Sequence, residues 1–318
     1  MTAPLNRRAG HRPDWLRIRV PGNLDQLPVS RLMNDLALNT VCQEARCPNI
    51  FECWSAGTAT FMILGEICTR RCTFCAVGKG APLAADPDEP RRVAEAVARM
   101  GVKHAVITMV NRDDMPDGGA EQVARTVAAV RERSGAAVEV LISDLEGNRE
   151  ALRLVVASRP EVLAHNIETV PRLYPAVRPV AKYKRSLDIL RWASDPVILS
   201  EAKDLRLAAG DPSPSSRLRM TTKSSLMLGL GETEDEILAV ARDLRDAGVE
   251  IFTMGQYLAP TGNHHPVRRY YTPEEFAELG ERARALGFRH VESAPLVRSS
   301  YMAHRAIESP SDAARDVR

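Results

Sequence analysis

Six cysteines give the sequence its most specific chemical signal, because all of them lie in one short stretch. They form two triplets, and the rest of the sequence has none: Cys42, Cys47 and Cys53, then Cys68, Cys72 and Cys75. A free cysteine behaves as a small hydrophobe that can serve in any core, so packing alone would not confine it. The confinement indicates metal ligands, disulfides or redox chemistry.

The second triplet has the spacing C-x3-C-x2-C and follows an apolar run at 60–64. Three thiolates on one tight loop can bind three corners of a cubane iron–sulfur cluster, whose fully ligated form takes four cysteines. The fourth iron then stays open, as the fourth position of a catalytic zinc site does. An open iron can hold a small ligand through an amine and a carboxylate.

Two other uses of six cysteines fit the sequence less well. A disulfide framework is typical of short secreted chains, whereas this chain has 318 residues and begins without an apolar segment long enough for a signal peptide. A structural zinc site needs four Cys or His ligands, usually as two closely spaced pairs, and neither triplet has an obvious fourth partner nearby. We therefore expect iron–sulfur clusters.

The elements that position these cysteines follow from the alternation of apolar runs and amphipathic segments. Amphipathic helices are predicted between successive runs, for example from Pro90 to Met100, before Gly101. This alternation predicts βα units around a parallel sheet. The predicted strands are the apolar runs 60–64, 104–110, 138–142, 162–167, 226–230 and 251–255.

The composition is ordinary for a soluble globular protein and does not by itself indicate a function. Net charge is +2, with 44% hydrophobic and 26% charged residues, so no global field favours nucleic acid or a membrane surface. The basic start of the chain is expected to be a solvated arm, with a docking surface for an acidic partner as the alternative. No apolar stretch approaches the roughly 18 residues that a membrane span needs.

Three motifs together resemble the lipoyl synthase family of the radical S-adenosylmethionine superfamily. The second triplet, with Phe74 before its last cysteine, resembles the superfamily's cluster motif. The first triplet, C-x4-C-x5-C, resembles the family's auxiliary-cluster motif, and residues 298–301 resemble its RSSY motif. The resemblance implies S-adenosylmethionine and two 4Fe–4S clusters. It implies one cluster on Cys68, Cys72 and Cys75, and another on Cys42, Cys47, Cys53 and a serine, with Ser300 preferred over Ser299.

The resemblance also implies a fold and its division. We expect an α/β fold, a partial (β/α)6 TIM-type barrel, with chemistry at the carboxyl ends of the strands. We expect residues 1–59 to form an arm with one short helix near 32–38, followed by the auxiliary-cluster loop at 41–59. Residues 60–290 would form the barrel, and 291–318 the C-terminal segment. The stretch around 194–220 looks like an insertion, with a helical piece at 200–207, because structureless loops of that length are uncommon.

Polar residues at strand ends are candidates for cofactor contact. Asn166 and Glu168, two apart on a strand, point the same way; a buried carboxylate needs a partner, either the cofactor or Arg178 or Lys182. Gly229 and Gly231 form a lone GxG pattern, which is a weak signal by itself. The resemblance places this pattern near the adenosyl group of the cofactor. The predicted cofactor-binding residues are Phe74, Asn166, Glu168, Gly229, Gly231 and Gln256.

Two loops are open to two interpretations. The loop 110–119 (VNRDDMPDGG) either positions substrate or is a capped turn before a helix. His264 and His265 are interpreted as loop residues near the substrate rather than as metal ligands. Thr233 and Glu236 have the spacing of a capping box.

The implied function is a radical sulfurtransferase that puts two sulfur atoms, drawn from the auxiliary cluster, on the sixth and eighth carbons of a protein-bound octanoyl-lysine. Implied partners are octanoylated lipoyl-carrier domains (the acyltransferase E2 subunits of 2-oxoacid dehydrogenases and the glycine-cleavage H protein), a flavodoxin or ferredoxin reductant, and an iron–sulfur assembly protein. Neither nucleic acid nor membrane is expected, and the compartment is the cytoplasm. The alternatives are another sulfur-inserting radical enzyme, a non-catalytic iron–sulfur electron-transfer protein, or a zinc protein that binds nucleic acid.

Overall fold

The structure is a computed structural model that describes residues 12–17, 22–195, 197–198, 200, 220–301 and 303. Of the helical piece predicted at 200–207, only residue 200 is described, and the rest lies outside the described residues. The rest of the predicted insertion is described only at its two ends.

A single eight-stranded sheet organises the described chain, in the order β1-β2-β5-β6-β7-β8-β9-β10. From β2 onward, all neighbours in this sheet pair in parallel, and β1 pairs antiparallel to β2. Two more strands, β3 and β4, pair with each other in parallel. The strands are β1 Asn39–Thr40, β2 Thr60–Ile63, β3 Ile67–Cys68, β4 Gly78–Lys79, β5 His104–Met109, β6 Ala137–Leu141, β7 Val162–Ala164, β8 Thr221–Leu228, β9 Ile251–Gln256 and β10 His290–Ser293.

Helices fill the connections between these strands. They are α1 Pro28–Asp35, α2 Val41–Glu44, α3 Ile50–Ser55, α4 Glu89–Met100, α5 Ala120–Ser134, α6 Arg149–Ala157, α7 Tyr174–Val177, α8 Tyr183–Ser194, α9 Glu234–Asp246 and α10 Pro273–Arg284. Glycines in the left-handed conformation end α4 and α5, at Gly101 (φ 64°) and Gly135 (φ 67°). Capping boxes begin α9 and α10, at Thr233 and Thr272, and the first of these confirms the prediction.

The sheet agrees with the predicted partial barrel and extends it by one parallel strand, β10, and one short antiparallel strand, β1. All six predicted strands are present, and the sheet keeps two edges, β1 and β10, so the barrel is open. The expectation of six parallel strands was one too few, because β10 also pairs in parallel with β9. Its sequence, His-Val-Glu-Ser, contains a single apolar residue and therefore gives no apolar run.

The first cysteine triplet departs from the predicted loop at 41–59. It lies on two short helices, α2 and α3, joined by a turn. The Thr40 hydroxyl accepts from the backbone N–H of Gln43 and caps α2, which is a local signal that the prediction overlooked. Trp54 on α3 is 1% exposed and anchors this segment in the core. The short helix expected near 32–38 is α1, which begins and ends a few residues earlier.

Candidate functional site

A cavity of ≈ 470 Å³ lies at the carboxyl ends of the strands, where the barrel rule predicts chemistry. It brings together most of the residues singled out from the sequence. Gly229, Gly231 and Cys53 are not among those that line it. The predicted residues that do line it are Cys42, Cys47, Cys68, Cys72, Phe74, Cys75, Asn166, Glu168, Gln256, Ser299 and Ser300.

A smaller cavity of ≈ 110 Å³ adjoins the first triplet. Cys42, Cys47 and Cys53 all line it, and so does Ser300, whereas Ser299 lines only the larger cavity. Cys42, Cys47, Arg298 and Ser300 line both cavities and therefore form the wall that the cavities share.

All six cysteines are free thiols in the structure. The pKa of Cys53 is raised to about 12 and that of Cys75 to about 11, mainly by burial and in part by the neighbouring thiols. A thiolate here thus needs a bound cation to stabilise it, and clustered sulfur donors are the ligands that iron–sulfur clusters use. Within the described residues, no three His, Cys, Asp or Glu side chains are grouped to hold a single metal ion. A cubane differs in that each thiolate binds its own iron.

Arg70, between two cysteines of the second triplet, anchors the cysteine loop to the sheet. Its side chain is 2% exposed and donates to Asp113 (2.7 and 2.8 Å) and to Asp144 (2.7 Å). These carboxylates follow β5 and β6. Burial alone would raise the pKa of Asp144, but the hydrogen bond and charge of Arg70 outweigh it and hold that pKa well below its usual value. Sequence reasoning missed this network; the only local signal is an arginine inside a ligand motif.

Backbone contacts hold the other end of the same loop. Thr73 donates from its N–H to Val177 O (3.0 Å), and Lys79 Nζ donates to Cys72 O (3.1 Å). His264 Nε2 donates to Cys75 O (3.2 Å), and the His265 N–H donates to Thr73 O (2.9 Å). The paired histidines therefore brace the cysteine loop, consistent with their interpretation as loop residues.

The loop after β5 is mainly a structural turn. Asp114 pairs with Arg112 at 2.7 Å, and Asp117 accepts from the backbone N–H groups of Gly119 and Glu121 at the start of α5. Asn111 lines the cavity, and its buried Oδ1 has no hydrogen-bond partner in the described part of the chain. Of the two interpretations of this loop, the capped turn accounts for these carboxylates and leaves Asn111 as the polar group that faces the cavity.

Asn166 and Glu168 lie side by side in the cavity. Asn166 Nδ2 donates to Glu168 Oε1 at 3.1 Å, and the buried Asn166 Oδ1 has no hydrogen-bond partner among the described residues. Burial raises the pKa of Glu168, and the charge of Arg178 opposes that rise. Arg178 Nη1 donates instead to the carbonyls of Asn166 and Ile167, and no ion pair within 4 Å to Glu168 is found in the described segments. An open acceptor and a buried carboxyl fit the ammonium of an amino-acid ligand.

Gln256 lines the cavity with its amide fully engaged. Its Nε2 donates to the carbonyls of Leu228, Tyr257 and Arg269, and its Oε1 accepts from the Tyr271 N–H. A Cβ at Gly229 would lie 2.2 Å from Gln256 Nε2, so this glycine makes room for that amide. The cofactor contacts expected of Gly229, Gly231 and Gln256 stay predictions.

The C-terminal segment closes the auxiliary site from outside. Asn49 Nδ2 donates to Leu296 O (2.7 Å) and Tyr301 OH to Glu52 Oε1 (3.0 Å), joining this segment to α3. Gly255 lets it approach β9, because a Cβ there would lie 1.9 Å from Val297 O. Burial lowers the pKa of Arg298, and the nearby Cys47 opposes that shift. Sequence reasoning identified Ser300 here but neither Asn49 nor Gly255.

Comparisons with known proteins agree with this geometry. A family model described as the Radical SAM superfamily matches residues 62–196. A lipoyl synthase of Rubrobacter xylanophilus is 54% identical over 300 residues, covering 93% of this chain and 87% of that protein. One of Koribacter versatilis is 51% identical, covering 95% of this chain and 93% of that protein.

Solved structures show the same fold at low identity. Streptococcus suis SuiB, in a crystal structure bound to S-adenosylmethionine, superposes with a TM-score of 0.52 at 11% identity, covering 81% of this chain and 52% of that one. A second SuiB structure gives 0.53, covering 85% and 58%. None of the described helices is both long and apolar enough to cross a membrane.

Proposed function

The chain belongs to the lipoyl synthase family, and on that premise we propose which of its residues hold the cofactors and the acyl substrate. Its reaction puts two sulfur atoms on a protein-bound octanoyl-lysine to give lipoyl-lysine, with S-adenosylmethionine and two 4Fe–4S clusters as cofactors. Cys68, Cys72 and Cys75 would hold the cluster that binds S-adenosylmethionine. The auxiliary cluster would take Cys42, Cys47, Cys53 and Ser300.

The observation that carries this assignment is that the whole first triplet lines the smaller cavity, that the second triplet lines only the larger one, and that the two cavities share walls. Cys42, Cys47, Arg298 and Ser300 line both, so a chain lying in the larger cavity would pass the auxiliary site. When bound, the cofactors supply a 5′-deoxyadenosyl radical that removes hydrogen from the sixth and eighth carbons, and the auxiliary cluster supplies the sulfur. The protein's part is then to hold the acyl chain between the two sites and to exclude water.

At the site of the second triplet, the protein fixes the position of the three thiolates. Arg70 joins the loop to the sheet through two carboxylates, while His264 and Lys79 hold the carbonyls of Cys75 and Cys72. Such anchoring limits movement of the ligands, and small displacements in a reacting geometry are costly in rate. Asn166 and Glu168 are proposed to accept the ammonium of S-adenosylmethionine, and Phe74 to cover the cluster.

At the site of the first triplet, we assign the oxygen ligand to Ser300 rather than to Ser299, because Ser300 lines the smaller cavity beside these cysteines. A serine oxygen is an unusual ligand for iron beside thiolates. A weaker bond suits a cluster that must give up its sulfur. The half-buried Arg298 is proposed to lie over Cys47 with its positive charge and to stabilise the anionic cluster there.

The substrate is a lipoyl-carrier protein, and the reaction needs a reductant. More specifically, we propose octanoylated dehydrogenase acyltransferase domains and the glycine-cleavage H protein as substrates. A flavodoxin or ferredoxin would be the donor, and an iron–sulfur assembly protein would rebuild the auxiliary cluster. Six reduced thiols suit the cytoplasm, which we propose as the compartment.

Two single substitutions separate the two sites. The anaerobic protein is mixed with dithionite, S-adenosylmethionine and an octanoyl-lysine peptide, and 5′-deoxyadenosine and thiolated peptide are measured. Cys47→Ala is expected to form 5′-deoxyadenosine without thiolating the peptide, whereas Cys72→Ala is expected to form neither product. Thiolation by Cys47→Ala at the wild-type rate would overturn the assignment of the first triplet.

A further inference from the structure

An exposed surface adjoins the cysteine loop, and one of its members, Lys79, also lines the larger cavity. We call Arg71, Lys79, Leu83, Val180 and Lys182 the cluster-loop rim. All five are exposed, and Leu83, at 88%, is the most exposed of the large apolar side chains in the described chain.

Hydrogen bonds place the rim around Cys72. Arg71 precedes Cys72 in the chain, and Lys79 Nζ donates to Cys72 O. Thr73 binds Ala176 O and Val177 O, which fixes the end of α7 against the loop. Three residues span at most about 11 Å between Cα atoms, so Val180 lies close to this junction. Arg71, Lys79 and Val180 therefore lie beside the loop that carries the second triplet. Leu83 and Lys182 follow within four residues of Lys79 and Val180 in the chain.

The rim is basic although the chain as a whole is nearly neutral. Stretches 65–85 and 176–184 hold four exposed cations, Arg71, Lys79, Lys182 and Lys184, and a single acid, Glu66. Lys184 pairs with Asp188, while no ion pair is found for Arg71 or Lys182 within the described residues. The whole chain has a net charge of +2, so this excess is local. Basic charges beside a few exposed apolar side chains suit a small, transient contact with an acidic protein.

We propose that the cluster-loop rim is the docking surface for an acidic one-electron carrier protein. The proposal rests on the proposed function, because the cluster of the second triplet needs an electron that this chain does not supply. At this surface one electron passes from the reduced carrier to that cluster. The carrier is oxidised by one electron, and no proton or chemical group is transferred. Basic side chains steer the acidic carrier, and the apolar pair Leu83 and Val180 gives contact.

Binding of a reduced flavodoxin to the anaerobic protein tests the proposal directly. Lys182→Glu is compared with Lys103→Glu, which makes the same charge change before β5, at the opposite end of the barrel. Reversing a charge about 10 Å from a carboxylate weakens binding about fourfold per facing carboxylate at low salt. We expect Lys182→Glu to show this loss at about 20 mM salt, to recover most of it at about 300 mM, and Lys103→Glu to bind as the wild type does.

A second variant keeps the test independent of charge. Leu83→Ser is expected to weaken flavodoxin binding at both salt concentrations, whereas Leu154→Ser, an exposed leucine on α6, is expected to leave it unchanged. Unchanged binding in both Lys182→Glu and Leu83→Ser would overturn the proposal. Equal weakening by Lys103→Glu would also overturn it, because net charge and not the rim would then be responsible.

Product formation separates this proposal from the proposed function. Lys182→Glu is expected to slow 5′-deoxyadenosine formation with flavodoxin and to leave the dithionite-driven rate at the wild-type value. If it instead slowed only the thiolation of a carrier protein, the rim would be the substrate's surface and the proposal would be wrong. A wild-type protein that forms no 5′-deoxyadenosine with dithionite would overturn the proposed function first, and this proposal with it.

Discussion

Gly255→Ala tests whether the C-terminal segment positions the auxiliary site. Gly255 lies in β9, and its added Cβ would meet Val297 O at 1.9 Å, whereas ordinary contact begins at 3.4 Å. The segment must therefore retreat by about 1.5 Å. Arg298 and Ser300 follow directly in sequence and would retreat with it. Overpacking of this kind costs about 1–3 kcal/mol, so the variant is expected to fold.

The assay measures both products of the same anaerobic reaction. A shift of about 1 Å in a reacting geometry can cost about a hundredfold in rate. Thiolation by Gly255→Ala is therefore expected to fall about a hundredfold. Formation of 5′-deoxyadenosine is expected to stay near the wild-type rate, because no hydrogen bond in the described chain joins Val297 to the second triplet. Gly262→Ala is the matched control, since nothing lies within 4 Å of its Cβ. Full thiolation by Gly255→Ala would refute the positioning argument.

Three further predictions concern buried charge and helix capping. Arg70→Met leaves the buried Asp144 without its main partner and is expected to cost about 3–5 kcal/mol in urea unfolding. Because the pKa of Asp144 is lowered in the fold, its ionised form stabilises the protein at pH values above the unfolded carboxyl pKa of about 3.9. This stability is lost as the pH falls below that value. Arg70→Met is expected to lose less stability over the same pH range. Lys223→Met removes the close partner of the buried Glu139 and leaves only His104, at 3.7 Å; it is expected to cost about 3–5 kcal/mol, most of it recovered by adding Glu139→Leu. Thr233→Ala removes a capping box and is expected to cost about 1 kcal/mol in thermal unfolding.

Each of these predictions has an outcome that contradicts it. An identical loss of stability with acid in wild type and Arg70→Met would mean that their ion pair does not lower the pKa of Asp144. If the double substitution at Lys223 and Glu139 were as unstable as Lys223→Met, the cost would come from packing and not from the unpaired charge. An unchanged melting temperature in Thr233→Ala would show that the capping box adds no stability.

Strands could be predicted where their residues are apolar. They could not be predicted where polar residues are buried or paired only because of the adjacent strands of the sheet. The run at 104–110 matches β5, because both faces of a parallel strand are buried and read as continuous hydrophobic sequence. β8 begins at Thr221, five residues before its predicted start, since its first residues are polar yet buried. β10 has one apolar residue and was missed for a related reason: pairing with β9 stabilises it.

The site divides in the same way. Both cysteine triplets could be singled out because their types and spacing are local features of the sequence, whereas Ser300 was predicted only from the resemblance of residues 298–301 to a family motif. The partners of Arg70 could not, because they lie 43 and 74 positions away and meet it only through the sheet. Gly255 gave no local signal either, since the carbonyl that it accommodates belongs to a segment that follows another helix and strand.

Iron content per chain tests the central claim most directly. If each triplet holds its own 4Fe–4S cluster, the reconstituted wild-type protein contains about eight irons, and replacing all three cysteines of either triplet by alanine leaves about four. A wild-type protein with about four irons, or a variant of one triplet that loses all its iron, would contradict two separate clusters.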